Sequence, residues 1–385
     1  MAKRRGGSDF LLRAVVKVFL GLSGPLKIVV VLLAMAAGAV AAGVWYQRTH
    51  PGAFGPPAPP PAPVAPGTVV FMFWNVENLF DDRDDKRNRT DEPYDTWFAR
   101  NTDDCKLKYD HLTEIVMREN GGNGPDVLAC VEVESVRAAE LLREALNAKI
   151  PAGAAKYDHV AMKELSANAG RYMAPCVISK IPLDAARTRL LGSHNLRVLE
   201  THVVANGADL CLVASHWTSQ LSDDGTKKGG GRDKYATTIY AEYAKQMAAD
   251  PAGDFLACGD FNTTPDSEPV VGELHMTGTR ADVVPTATNP RLFGLLSGKP
   301  AAEFGTLFYQ KPLIYDQIGV SPGMLDGAGW SCDPDSVRVP TDGMTRDRRT
   351  RRPWRFGNEK DHGPGGRGYA DHFPVVVNLN LAAAP

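Results

Sequence analysis

Residues 254–262 read DFLACGDFN, an apolar run of strand length that closes on a glycine and then sets a carboxylate and a carboxamide two positions apart. In an extended chain, residues i and i+2 project to the same side, so Asp260 and Asn262 are predicted to point together, and Gly259 permits a tight backbone turn before them. Such a pair can hold and orient one water molecule. The arrangement recurs along the chain. TVVFMFW (68–74) runs into Asn75 and Glu77, DVLACVE (126–132) ends on Glu132 with Glu134 two further on, and LCLVAS (210–215) is followed by His216. APCVIS (174–179) and VVVNL (375–379) are two more runs of buried-strand type. Between them, 135–148 and 233–249 have helical patterning. The second carries apolar residues at 236, 239, 240, 243, 244 and 247, which form one face at 3.6-residue spacing. Strands alternating with helices predict an α/β domain over residues 68–382. Polar residues collected at the C-terminal ends of its strands mark the edge where such sheets bind ligands.

Each polar element also has a plainer explanation. A glutamate against a buried run, as at Glu132, needs a cationic partner, which a hard divalent ion such as Mg²⁺ or an arginine can supply equally well. A lone histidine after a strand, like His216, is more often structural. Asp316 in YDQI and the adjacent Asp371-His372 pair before the last strand gain weight only from the company they keep.

The chain has 385 residues, 43% hydrophobic and 23% charged, with a net charge of -2 and a pI near 6.5. This composition excludes a disordered chain, a disulfide miniprotein and a protein whose overall field attracts nucleic acid. Cys130, Cys176, Cys211 and Cys258 sit inside apolar runs as small buried hydrophobes. Cys105 and Cys332 lie in polar stretches, which leaves open a pairing in an oxidising compartment. No cysteine or histidine spacing marks a zinc site.

Residues 28–46 (IVVVLLAMAAGAVAAGVWY) are uncharged and long enough to cross a bilayer core. Lys3, Arg4, Arg5, Arg13, Lys17 and Lys27 precede them and only Arg48 follows closely, so positive-inside bias places residues 1–27 in the cytoplasm and the remainder outside. Cleavage after the small residues at 39–41 is the alternative, although the stretch before the apolar run is long for a signal peptide. Residues 47–67, rich in Pro and Ala, read as a stiff spacer.

The set of motifs WNVENLFD (74–81), DVLACVEVE (126–134), SHWTS (215–219), GDFN (259–262), YDQIGV (315–320) and GYADHFPV (368–375) resembles that of the endonuclease/exonuclease/phosphatase, or deoxyribonuclease I-like, superfamily. The resemblance implies a four-layer α/β/β/α sandwich of two mixed sheets flanked by helices, here preceded by a single transmembrane helix. It also implies hydrolysis of phosphodiesters by metal- and histidine-assisted attack of water. Glu132 takes the place of the principal metal ligand, with Asn75, Glu77 and Asp371 near the metal or its waters. The metal is Mg²⁺, with Mn²⁺ or Ca²⁺ as alternatives, and no organic cofactor is implied. Asp260 and Asn262 take the place of the water-activating pair, His372 that of a phosphate contact with Asp316 fixing its tautomer, and His216 that of a second contact. The chain departs from the common pattern in having Val131 where many relatives have Gln and Ala370 where Ser is common.

For the substrate, residues 346–356 interleave six arginines with Trp354 and Phe356. Arg348, Arg349, Arg351, Arg352 and Trp354 are candidates for tracking phosphates and stacking bases. Arg232, at the end of the 227–232 loop, is another. The expected partners are nucleic acid and, through the N-terminal helix, a membrane. Anionic lipid contact and a solvated surface loop are the alternatives for the arginines, and nucleic acid is favoured over them. A phospholipid, sphingomyelin or phosphorylated small-molecule esterase of the same fold, and a binding protein without turnover, are the competing functions.

Overall fold

The computed structural model describes residues 66–383 apart from 89, 166–170, 194–195, 221, 223–229, 346–350 and 361–365. The predicted membrane helix and the start of the spacer therefore lie outside the described residues. Among the described residues, no helix is long and apolar enough to cross a membrane.

The strands are β1 (Gly67–Leu79), β2 (Val127–Val133), β3 (His159–Met162), β4 (Ala174–Ser179), β5 (Arg189–Leu190), β6 (Val198–Ala205), β7 (Ala208–His216), β8 (Asp254–Asp260), β9 (Met276–Thr277), β10 (Leu292–Gly294), β11 (Leu307–Tyr309), β12 (Lys311–Leu313), β13 (Asp316–Val320), β14 (Trp330–Arg338) and β15 (Val375–Leu381). The main helices are α1 (Glu92–Arg100), α2 (Thr102–Val116), α3 (Val136–Asn147) and α4 (Gly231–Ala249). The α3 helix starts where Ser135 accepts a hydrogen bond from the Ala138 amide at 3.0 Å, an N-cap that satisfies one of the helix's free donors.

Two mixed sheets result. One has the order β14-β15-β1-β2-β4-β3 and the other β5-β6-β7-β8-β13-β10-β9. Alternation along β1 explains how they pack. Val70, Met72 and Trp74 face a core shared with Leu112, Ile115 and Leu142 of the helices, whereas Val69, Phe71 and Phe73 face Leu199, Leu212, Leu256 and Ile318 of the second sheet. On the far side of that second sheet, Val213, Ala257 and Phe255 meet Ala236, Ile239, Tyr243 and Met247 of α4, the face predicted from its periodicity. The layers therefore run helix, sheet, sheet, helix.

Register then builds one edge of the molecule. In the second sheet, His216 pairs with Asp260, and Asp260 pairs with Asp316, so three of the predicted residues stand side by side on β7, β8 and β13. In the first sheet, Asn75 pairs with Val131, next to Glu132. Trp74 donates its indole Nε1 to the carbonyl of His372 at 3.0 Å, which fixes the final motif against β1.

Two expectations need correction. Gly259 makes no tight turn. It lies within β8, where a Cβ would come 2.4 Å from the Ser215 carbonyl and 2.5 Å from its hydroxyl, so glycine is required by the close approach of β7. Gly259→Ala is expected to cost about 1–3 kcal/mol by forcing these strands apart, and a lowered urea midpoint would show it. Cys105 and Cys332 are both buried and unpaired, and they belong to separate cores, one on each face of the first sheet. The sheet between them rules out the disulfide.

Candidate active site

Asp260 Oδ2 is the hub of this edge. It accepts a hydrogen bond from Asn75 Nδ2 at 3.0 Å and lies 3.6 Å from His216 Nε2 and 3.8 Å from His372 Nε2. Asn75 Nδ2 also reaches Glu132 Oε1 at 3.3 Å, which stands 3.9 Å from His216 Nε2. Behind His372, the buried carboxylate of Asp316 accepts its Nδ1–H at 2.6 Å. Asp371 is at the lip, its side chain 41% exposed.

Backbone strain sets these directions. Glu77, Asn78, Glu132 and Asn262 all have left-handed φ values, 52°, 54°, 66° and 50°. Each such non-glycine residue costs of order 1–3 kcal/mol, and a cluster of them marks a site held in shape by its surroundings. The strain is anchored by backbone amides. Asn78 N donates to Glu132 Oε2 at 2.9 Å, Glu77 N to Asn75 Oδ1 at 3.1 Å, and Asn262 N to Asp260 Oδ1 at 2.9 Å.

The two imidazoles are driven apart electrostatically. Burial pulls against a charge on His372, but Asp316 and Asp260 outweigh it and hold its pKa well above the ordinary value, so the ring is a cation at neutral pH. His216 is pushed well below, first by burial and then by Arg197, His372 and Arg171. Arg197 Nη1 lies 3.3 Å from His216 Nδ1, and since a guanidinium can only donate, His216 keeps its proton on Nε2, facing Asp260. Burial, with Asp316 beside it, raises the Asp260 carboxyl to about 6. The arrangement unites a carboxylate near the neutral range, a neutral donor and a cationic donor around one point. Such a point suits an anion under attack by water.

The sequence profile of the Endonuclease/Exonuclease/phosphatase family matches residues 70–381. The chain belongs to that family. Solved structures similar to it include a mannosyl-6-phosphatase from Bacteroides thetaiotaomicron (15% identity, 81% of this chain and 99% of that one, TM-score 0.48). Sphingomyelinase C from Streptomyces griseocarneus is also similar (16%, 82% and 99%, TM-score 0.47), as is D. rerio TDP2 complexed with a single-strand DNA product (13%, 82% and 99%, TM-score 0.47). No curated protein sequence matches the chain.

In this endonuclease/exonuclease/phosphatase family member, several expected residues do other work. Glu77 does not share a face with Asn75, because the left-handed turn sends its carboxylate to Arg355 Nε (2.8 Å) and to the amides of Phe356 (2.9 Å) and Gly357 (3.3 Å). The carboxylate thus faces Arg355 and not Asn75. It pins the 355–357 segment beside the site. Glu134 turns away to Arg87. Asn262 donates its amide to the Trp217 carbonyl at 3.1 Å and so braces the loop after His216.

The substrate candidates also separate. Arg232 is buried in the first turn of α4 and donates to the Thr218 carbonyl at 3.3 Å, so it holds the SHWTS loop instead of reaching outward. Trp354 is half-buried with its ring edge-on to Tyr369, centroids 6.1 Å apart. Arg352 is exposed and Arg351 half-buried, while Arg348, Arg349 and the loop at 227–229 lie outside the described residues.

Two arginines escaped the sequence reading. Arg197 is described above, and Arg171 is gripped by Asp91 Oδ1 and Asn78 Oδ1, both at 2.6 Å. Each stands just before a strand, Arg171 before β4 and Arg197 before β6.

Proposed function

We propose that this chain is a metal-dependent phosphodiesterase acting on nucleic acid, held at a membrane by residues 28–46. The observation that carries the reading is the meeting of Asn75, His216 and His372 on Asp260, with Glu132 within reach of Asn75 and His216.

The donor set fits a hard dication. Glu132, Asp260 and Asp371 offer carboxylate oxygens and Asn75 an amide, the ligands that Mg²⁺, Mn²⁺ and Ca²⁺ prefer. Glu132 would hold the ion, with Asn75 and Asp371 beside it. When bound, the ion offsets negative charge on the phosphoryl oxygens. Asp260 then takes a proton from the attacking water as the new P–O bond forms. The ester P–O bond breaks with its leaving oxygen taking a proton from solvent, to which Asp260 returns its own, leaving a phosphate monoester and an alcohol. His372 and His216 direct their Nε2–H groups at the phosphoryl oxygens, one as a cation and one as a neutral donor.

Nucleic acid is favoured by the arginine-rich 346–356 segment, which Glu77 ties to the catalytic edge through Arg355, and by the exposed Arg352. Among the described residues, the large exposed apolar side chains Val136, Val271, Val284 and Tyr309 come from four separate segments, so no single exposed hairpin carries two of them.

The test offers the full chain plasmid DNA, RNA, sphingomyelin vesicles and a simple phosphodiester, with Mg²⁺ or with chelator. Cleavage of DNA or RNA that disappears in Glu132→Ala supports the proposal. Cleavage of lipid alone would move the substrate to a phospholipid head group, and binding without turnover would remove the enzyme reading. Carbonate-resistant membrane association that is lost on deleting residues 28–46 tests the tether.

Metal binding should also appear in stability. Burial, with Asp316 adding to it, raises the Asp260 carboxyl from 3.8 to about 6. The folded state therefore binds this proton more tightly than the unfolded chain, and the stability it contributes is lost as pH rises from about 3.8 through 6. A dication among the same carboxylates restores what the proton supplied. Mg²⁺ is expected to raise Tm more at about pH 8 than at about pH 5.5, and not at all in Glu132→Ala. Differential scanning fluorimetry reads this directly, and an equal rise in the variant would place the ion elsewhere.

A further inference from the structure

Among the described residues, three groups of His, Cys, Asp and Glu bring candidate ligand atoms within 4.8 Å of one another. One is the Asp260, Asp316 and His372 set already placed at the active site, and one is the acidic group of Asp81, Asp85 and Glu134. The third is Glu200, His202 and Cys211, which the hydrolytic chemistry does not use. Cys211 precedes His216 by five residues on β7, so this group lies roughly 16 Å along the strand from the catalytic end.

Register makes the group. His202 on β6 pairs directly with Cys211 on β7, and Glu200 is the next residue on the same face of β6. This is the face covered by α4, where the neighbouring positions Val198 and Val213 are apolar. Three ligand-type side chains are therefore buried on a surface that packing alone would fill with aliphatics.

We propose that Glu200, His202 and Cys211 form a second metal site, separate from the catalytic centre and suited to a thiophilic divalent ion such as Zn²⁺. Zinc takes sulfur, imidazole nitrogen and carboxylate oxygen in tetrahedral geometry, in which nitrogen and oxygen ligands at about 2.0–2.1 Å lie roughly 3.3 Å apart. His202 Nε2 and Glu200 Oε1 are 3.5 Å apart. The ring is already oriented, since Asp209 Oδ1 lies 3.0 Å from His202 Nδ1, the carboxylate–histidine support that metal-bound imidazoles use. Access is short, because the flanking Arg187, Arg189 and Asp209 side chains are 42%, 48% and 43% exposed.

Charge conservation answers the obvious competitor, a plain ion-pair network. Asp184, Arg187, Asp209, His202, Glu200, Arg189, Glu242 and Lys245 already alternate in sign through successive contacts. Burial opposes a charge on His202, but Asp209, Cys211 and Glu200 hold it up to about 11, and burial raises the Cys211 thiol, so both carry protons without an ion. A dication that binds Nε2 and Sγ displaces those two protons. The net charge is unchanged, and Arg187 and Arg189 keep their carboxylates.

The experiment titrates the full chain with Co²⁺, then with Zn²⁺. One equivalent of Co²⁺ is expected to produce an intense near-ultraviolet thiolate-to-metal charge-transfer band, with release of protons to the buffer. The band should be quenched by Zn²⁺, be absent in Cys211→Ser and survive in Glu132→Ala. Asp209→Asn should weaken binding about 10- to 100-fold. Far-ultraviolet circular dichroism confirms that Cys211→Ser, a near-isosteric change, remains folded. Should it fail to fold, His202→Gln takes its place, with the same loss expected. No band, or a band that persists in both variants, overturns the proposal and leaves an ion-pair network centred on an imidazolium.

Discussion

Asp260→Asn is expected to lower kcat by roughly 10²- to 10⁴-fold, the span that loss of a general base produces. The change is nearly isosteric. It preserves an oxygen for the Asn262 amide, which donates to Oδ1 at 2.9 Å, so substrate binding and the loop should survive while the capacity to accept a proton is lost. The wild-type pH profile should carry the signature. With the Asp260 carboxyl raised to about 6, kcat/KM is expected to fall below that pH as the base becomes protonated, and this acid limb should be missing in the variant. Because burial penalises the charge that Asn lacks, the variant should unfold no earlier than the parent at about pH 8. An activity loss of less than about tenfold would remove Asp260 from the role of base.

The second large effect concerns the His372–Asp316 pair. Removing one donor to a developing oxyanion costs roughly 10²- to 10³-fold, and His372→Ala is expected to lose about that much. Asp316→Asn should match it without touching substrate, because Asp316 is fully buried behind the ring and bonds His372 Nδ1 at 2.6 Å. An amide cannot sustain the imidazolium, and it can turn its NH₂ towards the ring and reverse the tautomer. The double variant should then be no more than a few-fold worse than either single one, since both changes disable the same ring. If the two losses multiplied instead, as independent sites do, the pair would not be one device. Steady-state kcat/KM for the four proteins completes the cycle.

Much of this site was legible in the chain because β-strands report themselves locally. APCVIS occupies β4 as predicted, and the runs ending at Asn75, Glu132, His216 and Asp260 became strands whose ends share one edge. What alternation could not convey was the direction of the side chains at those ends. Period-two reasoning put Glu77 beside Asn75, and the expectation failed at a residue whose φ is positive, while the direction of Glu134, left open by the sequence, was settled after the left-handed Glu132. A left-handed residue rotates the chain out of the pleat, and it persists only where tertiary bonds support it, as the Asn78 amide supports Glu132.

Local polarity and a period of two were enough to show which strands end in polar residues, and Asn75, His216, Asp260 and Asp316 do meet at one edge. The sequence by itself also determined the apolar stretch at 28–46 that motivates a membrane tether. The tertiary structure alone decided which imidazole is charged, because that depends on Arg197 standing behind His216 and Asp316 behind His372. It alone decided that Glu77 serves Arg355, a residue 278 positions away. Electrostatic environment is a property of neighbours in space, and contacts of that separation leave no periodic trace in a single chain.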